Sequence, residues 1–170
     1  MEEVRCYFAI ILIATAIIFA NILDRCVSIF DALTKSVFQV ASLITSTGFS
    51  STDFNLWPQI CRTVLVLIMF IGACAGSTGG GIKVSRVIVL FKTMIKELHS
   101  YIHPKSIRKV NLDGKPVEHE IVRSINVYIV TFVIIFASSV FMVAFDGKDL
   151  VTNFTAVLTT INNMGPGLAE

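Results

Sequence analysis

Apolar residues in this chain arrive in long blocks, not at the spacing of a soluble amphipathic helix. The first block runs from Cys6 to Leu23, and Tyr7, Thr15 and Asn21 are its only polar members. That is close to the ~20 residues a helix needs to cross a bilayer. Residues 1–5 carry Glu2 and Glu3 against a single Arg5, the opposite of a positive leader, so the block reads as a retained span. A second block begins after Trp57 and Pro58, is apolar from Val64 to Ile71, breaks at Gly72–Gly81 and resumes from Ile82 to Phe91. The third covers Ile121–Phe145. Two shorter segments, 29–44 and 150–161, are too short to span and each runs into a glycine-containing tract, so they read as re-entrant or core helices.

Composition agrees with a membrane setting, since 54% of the 170 residues are hydrophobic and only 15% are charged, against roughly a quarter charged in soluble proteins. The charges are also unevenly placed. Nine of the 14 Lys and Arg (Lys83, Arg86, Lys92, Lys96, Lys105, Arg108, Lys109, Lys115, Arg123) fall between positions 83 and 123. A basic excess beside apolar spans marks the cytoplasmic side and gives no indication of nucleic acid. By parity the N-terminus is then inside, and both short segments enter from the outer face and return to it. The basic stretch contains Asp113-Gly114-Lys115, a turn between the short runs 108–112 and 116–119. Cys6, Cys26, Cys61 and Cys74 form no CxxC pair, and His99 and His103 lack a third ligand, so neither a disulfide framework nor a metal centre is expected.

The order span, short helix, glycine tract, span occurs once and then begins again. A shift of 117 residues sets Gly48 against Gly165 and Thr45-Ser46-Thr47-Gly48-Phe49 against Asn162-Asn163-Met164-Gly165-Pro166. Non-helical backbone at membrane depth is tolerated only where protein buries it or an aqueous path runs beside it. Carbonyls turned toward one axis can replace the hydration shell of an alkali cation, and each short helix aims its negative end at the same place. Thr45, Ser46, Thr47 and Gly48 with Asn162, Asn163, Met164 and Gly165 are therefore candidate ion-binding positions for an alkali cation. The Asn162 and Asn163 side chains are expected to brace the backbone and leave the ion to carbonyls.

The break in the second span holds Gly72, Gly76, Gly79, Gly80 and Gly81 with Ser77 and Thr78. Gly72 and Gly76 fit a helix-packing GxxxG pair, but three consecutive glycines cost helix about 1 kcal/mol each relative to alanine. An intramembrane loop is expected, on the cytoplasmic side of the first tract, where it can obstruct the path and move aside. A phosphate-binding reading of Gly76–Lys83 fails because the lysine is one residue late and Val84 stands where Ser or Thr is required. Lys83 and Arg86 read as cytoplasmic-end contacts that hold the far end of the loop.

Four motifs now line up in order: Ser42-Leu-Ile-Thr-Ser-Thr-Gly-Phe49; Asp53-Phe54 with Trp57-Pro58; Gly72-Ala-Cys-Ala-Gly-Ser-Thr-Gly-Gly-Gly-Ile-Lys-Val84 with Arg86; and Asn162-Asn-Met-Gly-Pro-Gly167. Together they resemble the membrane pore subunits of the Trk/Ktr/HKT superfamily of potassium transporters. The resemblance implies an all-α membrane protein of repeats related to potassium channels, each a membrane helix, re-entrant pore helix, filter loop and membrane helix. It implies one complete repeat, equivalent to the third of four (1–98: span 6–23, pore helix 29–44, filter 45–49, broken span 60–91). A basic cytoplasmic linker (99–120) and an incomplete fourth repeat follow (121–170: span 121–145, pore helix 150–161, filter 162–166). It further implies potassium uptake without enzymatic chemistry or cofactor, a multi-pass place in a bacterial inner membrane, a homodimer, and a cytoplasmic ring of nucleotide-binding regulatory subunits. The stretch from Lys92 to Lys115 is the candidate contact for that ring. A sodium-coupled transporter with broken helices and a non-transporting scaffold are the alternatives, and the absence of charged residues in Gly72–Gly81 weighs against the first.

Overall fold

The computed structural model describes residues 1–77, 79–103 and 109–165. Thr78 of the expected loop lies outside the described residues, as do Pro166 and Gly167 of the last motif and Lys105 and Arg108 of the basic stretch.

Helix α1 (Glu2–Ile22) is apolar on nearly every side, and a 3-10 turn ends it at Arg25. Helix α2 (Ile29–Ile44) starts where the Ser28 hydroxyl accepts the Asp31 amide, a side-chain N-cap. Helix α3 (Gln59–Phe70) begins directly after Pro58, whose ring fits a helix start and whose missing N–H is not needed there. Two-residue strands β1 (Ile71–Gly72) and β2 (Ile82–Lys83) pair in parallel, Ile71 beside Ile82. The chain between the two strands, 73–81, is thus an excursion from a span that continues in its original direction. Helix α4 (Val84–Ile102) completes it.

Helix α4 runs well past Phe91, where the sequence pattern ends the span. Hydropathy marks the edge of the membrane and not the end of the helix: Lys92 stays helical and pairs with Glu2 of α1 across that edge. A tight hairpin follows, β3 (Asn111–Leu112) against β4 (Lys115–Pro116), with strands shorter than the pattern suggests. Asp113 and Gly114 take φ of 51° and 79°, the left-handed pair that a two-residue primed turn requires. The Glu2 amide donates to the Asp113 carboxylate, and this bond holds the carboxyl below the usual carboxylate range. Beneath the hairpin, Val110 packs with Val89 and Ile125.

Helix α5 (His119–Val143) and helix α6 (Leu150–Ile161) open the second unit, and Asp149 caps α6 by accepting the Val151 amide. By length and hydropathy, 2–25 and 119–146 are sufficient to cross a membrane, while α3 and α6 are too short alone. The two units share one core, in which Leu158 and Met164 of the second pack among Val40, Leu43, Leu65 and Met69 of the first. Phe70, Phe136 and Phe154 reinforce the seam, with Phe136 and Phe154 edge to face at 5.0 Å between ring centres.

Candidate functional site

Where α2 ends, Thr45 is the last residue with right-handed backbone and Ser46 flips to φ 56°. The Ser46 amide donates to Leu43 O (3.0 Å) and the Thr47 amide to Ser42 O (2.9 Å), the two bonds of a Schellman motif. Helix α6 ends identically. Asn163 takes φ 54°, its amide donates to Thr160 O (3.2 Å), and the Met164 amide donates to Thr159 O (2.9 Å). Both Schellman bonds of the first tract are found 117 residues later in the second. Both tracts then reach a glycine with positive φ, 78° at Gly48 and 89° at Gly165, where an L side chain would be strained.

The two glycines meet. A β-carbon on Gly165 would lie 3.8 Å from the Gly48 Cα, so the tracts face each other across the seam between units. In the first tract, Ser42 braces the backbone twice: its carbonyl accepts the Thr47 and Gly48 amides, and its hydroxyl donates to Phe49 O at 2.5 Å. Thr45 and Thr47 pair through their hydroxyls at 2.7 Å, while the buried Ser46 hydroxyl has no hydrogen-bond partner among the described residues. Met164 is buried in the core, so it could offer an ion only its carbonyl.

Asn162 is fully buried, yet neither atom of its amide finds a partner among the described residues. The bracing bond expected of it is therefore not made there. Its side chain instead lies against the glycine loop, with Oδ1 3.1 Å from where a Gly81 β-carbon would stand.

The loop is packed too closely for side chains. A β-carbon on Gly80 would fall 2.2 Å from Asn162 O, and one on Gly72 would fall 2.2 Å from Gly80 O, both collisions with backbone. Gly79 is less confined, its β-carbon position 3.4 Å from the Ser46 hydroxyl. Gly72 and Gly76 do not form a helix-packing pair, because neither is helical: Gly72 is in β1 and Gly76 sits at φ 85° in a turn closed by the Ser77 amide on Cys74 O. Lys83 Nζ donates to Ser77 O across the neck of the loop. Among the described residues Arg86 makes no hydrogen bond to the loop; it stacks on the Tyr128 ring at 3.9 Å, and the Tyr128 hydroxyl lies 3.5 Å from Gly81 O.

Two loop contacts come from residues that the sequence pattern does not single out. The Ala75 amide donates to Glu3 Oε1 at 2.6 Å, and Tyr128 reaches the loop from α5. Both partners are far away in sequence, and no local spacing signals them.

Long apolar helices, short helices that stop partway and tracts that meet between them define an all-α membrane protein of channel-like repeats. The sequence matches the TrkH family, described as cation transport protein, over residues 6–169. The chain belongs to that family. It is 34% identical over 160 residues to the Trk system potassium uptake protein TrkH of Salmonella typhimurium, covering 94% of this chain and 32% of the relative. To the protein of the same name from Escherichia coli K12 it is 32% identical over 162 residues, or 95% of this chain and 33% of that one. It superimposes with a TM-score of 0.90 on the crystal structure of the potassium transporter TrkH from Vibrio parahaemolyticus, at 32% identity over 99% of this chain and 36% of the other. The chain thus spans about a third of the length of the relatives it matches.

Proposed function

We propose that this chain forms part of a potassium uptake pathway in which Thr45–Gly48 and Asn162–Gly165 supply two of the strands lining a carbonyl filter. The observation that carries this reading is the same helix-ending pair of bonds in the two tracts at a 117-residue shift, with Gly48 and Gly165 side by side. Two helix C-termini converging there favour a cation, and glycines at positive φ let carbonyls turn to one axis. The relatives' names refer to potassium uptake, which agrees with a dehydrated alkali cation as cargo.

Gly72–Gly81 acts as the gate. It packs against both tracts through Gly79, Gly80 and Gly81, which suits a plug that must approach the filter closely and leave again. Lys83 holds its neck, and Arg86 acts one step away through Tyr128. In the complete protein, residues 1–98 and 121–170 serve as two pore repeats joined by the linker 99–120. The protein is multi-pass in a bacterial inner membrane, with the basic linker inside, and the assembly is a homodimer regulated by a nucleotide-binding ring that meets the Lys92–Lys115 stretch.

The test is rubidium uptake in cells lacking their own potassium uptake, using a chimera in which this chain replaces the matching third of the Salmonella relative. Gly48→Ser and Gly165→Ser should each lower uptake by about ten-fold or more, since a left-handed L residue costs roughly 1–2 kcal/mol and misdirects its carbonyl. Full uptake by both variants, with normal membrane insertion, would favour a scaffold over a filter.

A further inference from the structure

We propose that Glu3 is a positioning residue that clasps the glycine loop to the first helix. The inference rests on the gate reading above and assigns it a residue from outside the loop's own span. Glu3 stands in the first turn of α1, and its carboxylate accepts the Ala75 amide at 2.6 Å across 72 residues of sequence. Ala75 lies at the tip of the turn in which Gly76 takes φ 85° and the Ser77 amide closes on Cys74 O. The loop's other edge, Gly79–Gly81, rests on Ser46 and Asn162. The loop is therefore held between the candidate filter on one side and a carboxylate on the other.

The tip cannot leave its seat without breaking this bond. Lys83 binds Ser77 O from within six residues and Tyr128 approaches the neck at Gly81, whereas Glu3 hydrogen-bonds the tip from another element. A bond to an ionised acceptor is also among the stronger hydrogen bonds available. Glu2 beside it does a different job, pairing with Lys92 of α4, and so provides a neighbouring control.

Cys74 adjoins Ala75 and is half-buried, which makes it a native reporter of loop position. In the full chain, with Cys6, Cys26 and Cys61 changed to serine, the rate of Cys74 alkylation by a water-soluble maleimide reads how often the loop opens. Glu3→Ala should raise that rate on the order of ten-fold, the factor expected from losing one charged hydrogen bond. Glu3→Gln keeps an acceptor oxygen and should restore most of the protection, while Glu2→Ala should leave the rate unchanged. Ala75→Pro removes the donor at a turn position that accepts proline, and it should match Glu3→Ala without adding to it. An unchanged rate in both Glu3→Ala and Ala75→Pro would overturn the clasp, as would an equal rise in Glu2→Ala. Faster alkylation with unaltered rubidium flux through the chimera would keep the clasp and remove the gate.

Discussion

The two tracts share a backbone and differ in what surrounds it. Thr45–Gly48 is braced by its own helix, through the Ser42 carbonyl and hydroxyl, and has the Ser46 hydroxyl 3.4 Å from where a Gly79 β-carbon would stand. Asn162–Gly165 makes the same helix-ending bonds but presses its Asn162 carbonyl onto Gly80 and its side-chain amide onto Gly81. One tract is held by its repeat, and the other is held in part by the loop. Equal geometry at the two ends of a repeat therefore does not mean equal roles, and loop movement should register first at the second tract.

The largest expected effect comes from adding one methyl group at each contact. Gly80→Ala puts a carbon 2.2 Å from a backbone oxygen, which forces the loop off the second tract or shifts that tract, at a cost of about 1–3 kcal/mol or more. Gly79→Ala meets only the end of a serine side chain at 3.4 Å and should cost under about 1 kcal/mol. Alkylation of Cys74 read on both variants checks the comparison. Similar rates in the two would mean that the loop does not lean on the second tract.

A smaller effect separates the helix ends themselves. Ser46 and Asn163 both occupy the left-handed position at which glycine is the commonest residue, and asparagine tolerates it better than serine. Ser46→Gly should stabilise by roughly 0.5–1 kcal/mol and Asn163→Gly by clearly less, read as shifts in thermal unfolding in detergent. The reverse order would mean that side-chain contacts, and not backbone angles, set these ends.

Much of this arrangement is legible in the sequence because it is periodic or conformational. The block of Cys6–Leu23 and the pairing of Gly48 with Gly165 follow from spacing, and Asp113-Gly114 identifies its own turn. The course of α4 beyond Phe91 is not legible, since charge at Lys92 and Lys96 looks the same whether a helix ends or leaves the bilayer. Gly72 and Gly80 show the limit most clearly. Neither takes the left-handed backbone angle that the φ argument for glycine anticipates, and both are glycine because another backbone passes within contact of them. That reason, like the Glu3 and Tyr128 contacts, exists only once distant segments have met.

Anomalous scattering from crystals of the chimera grown with thallium in place of potassium tests whether the two tracts line one cation path. Thallium peaks are expected between the backbone carbonyls of residues 45–48 and 162–165, level with Gly48 and Gly165. Well-ordered tracts with thallium absent from that axis, or bound only elsewhere in the protein, would contradict it.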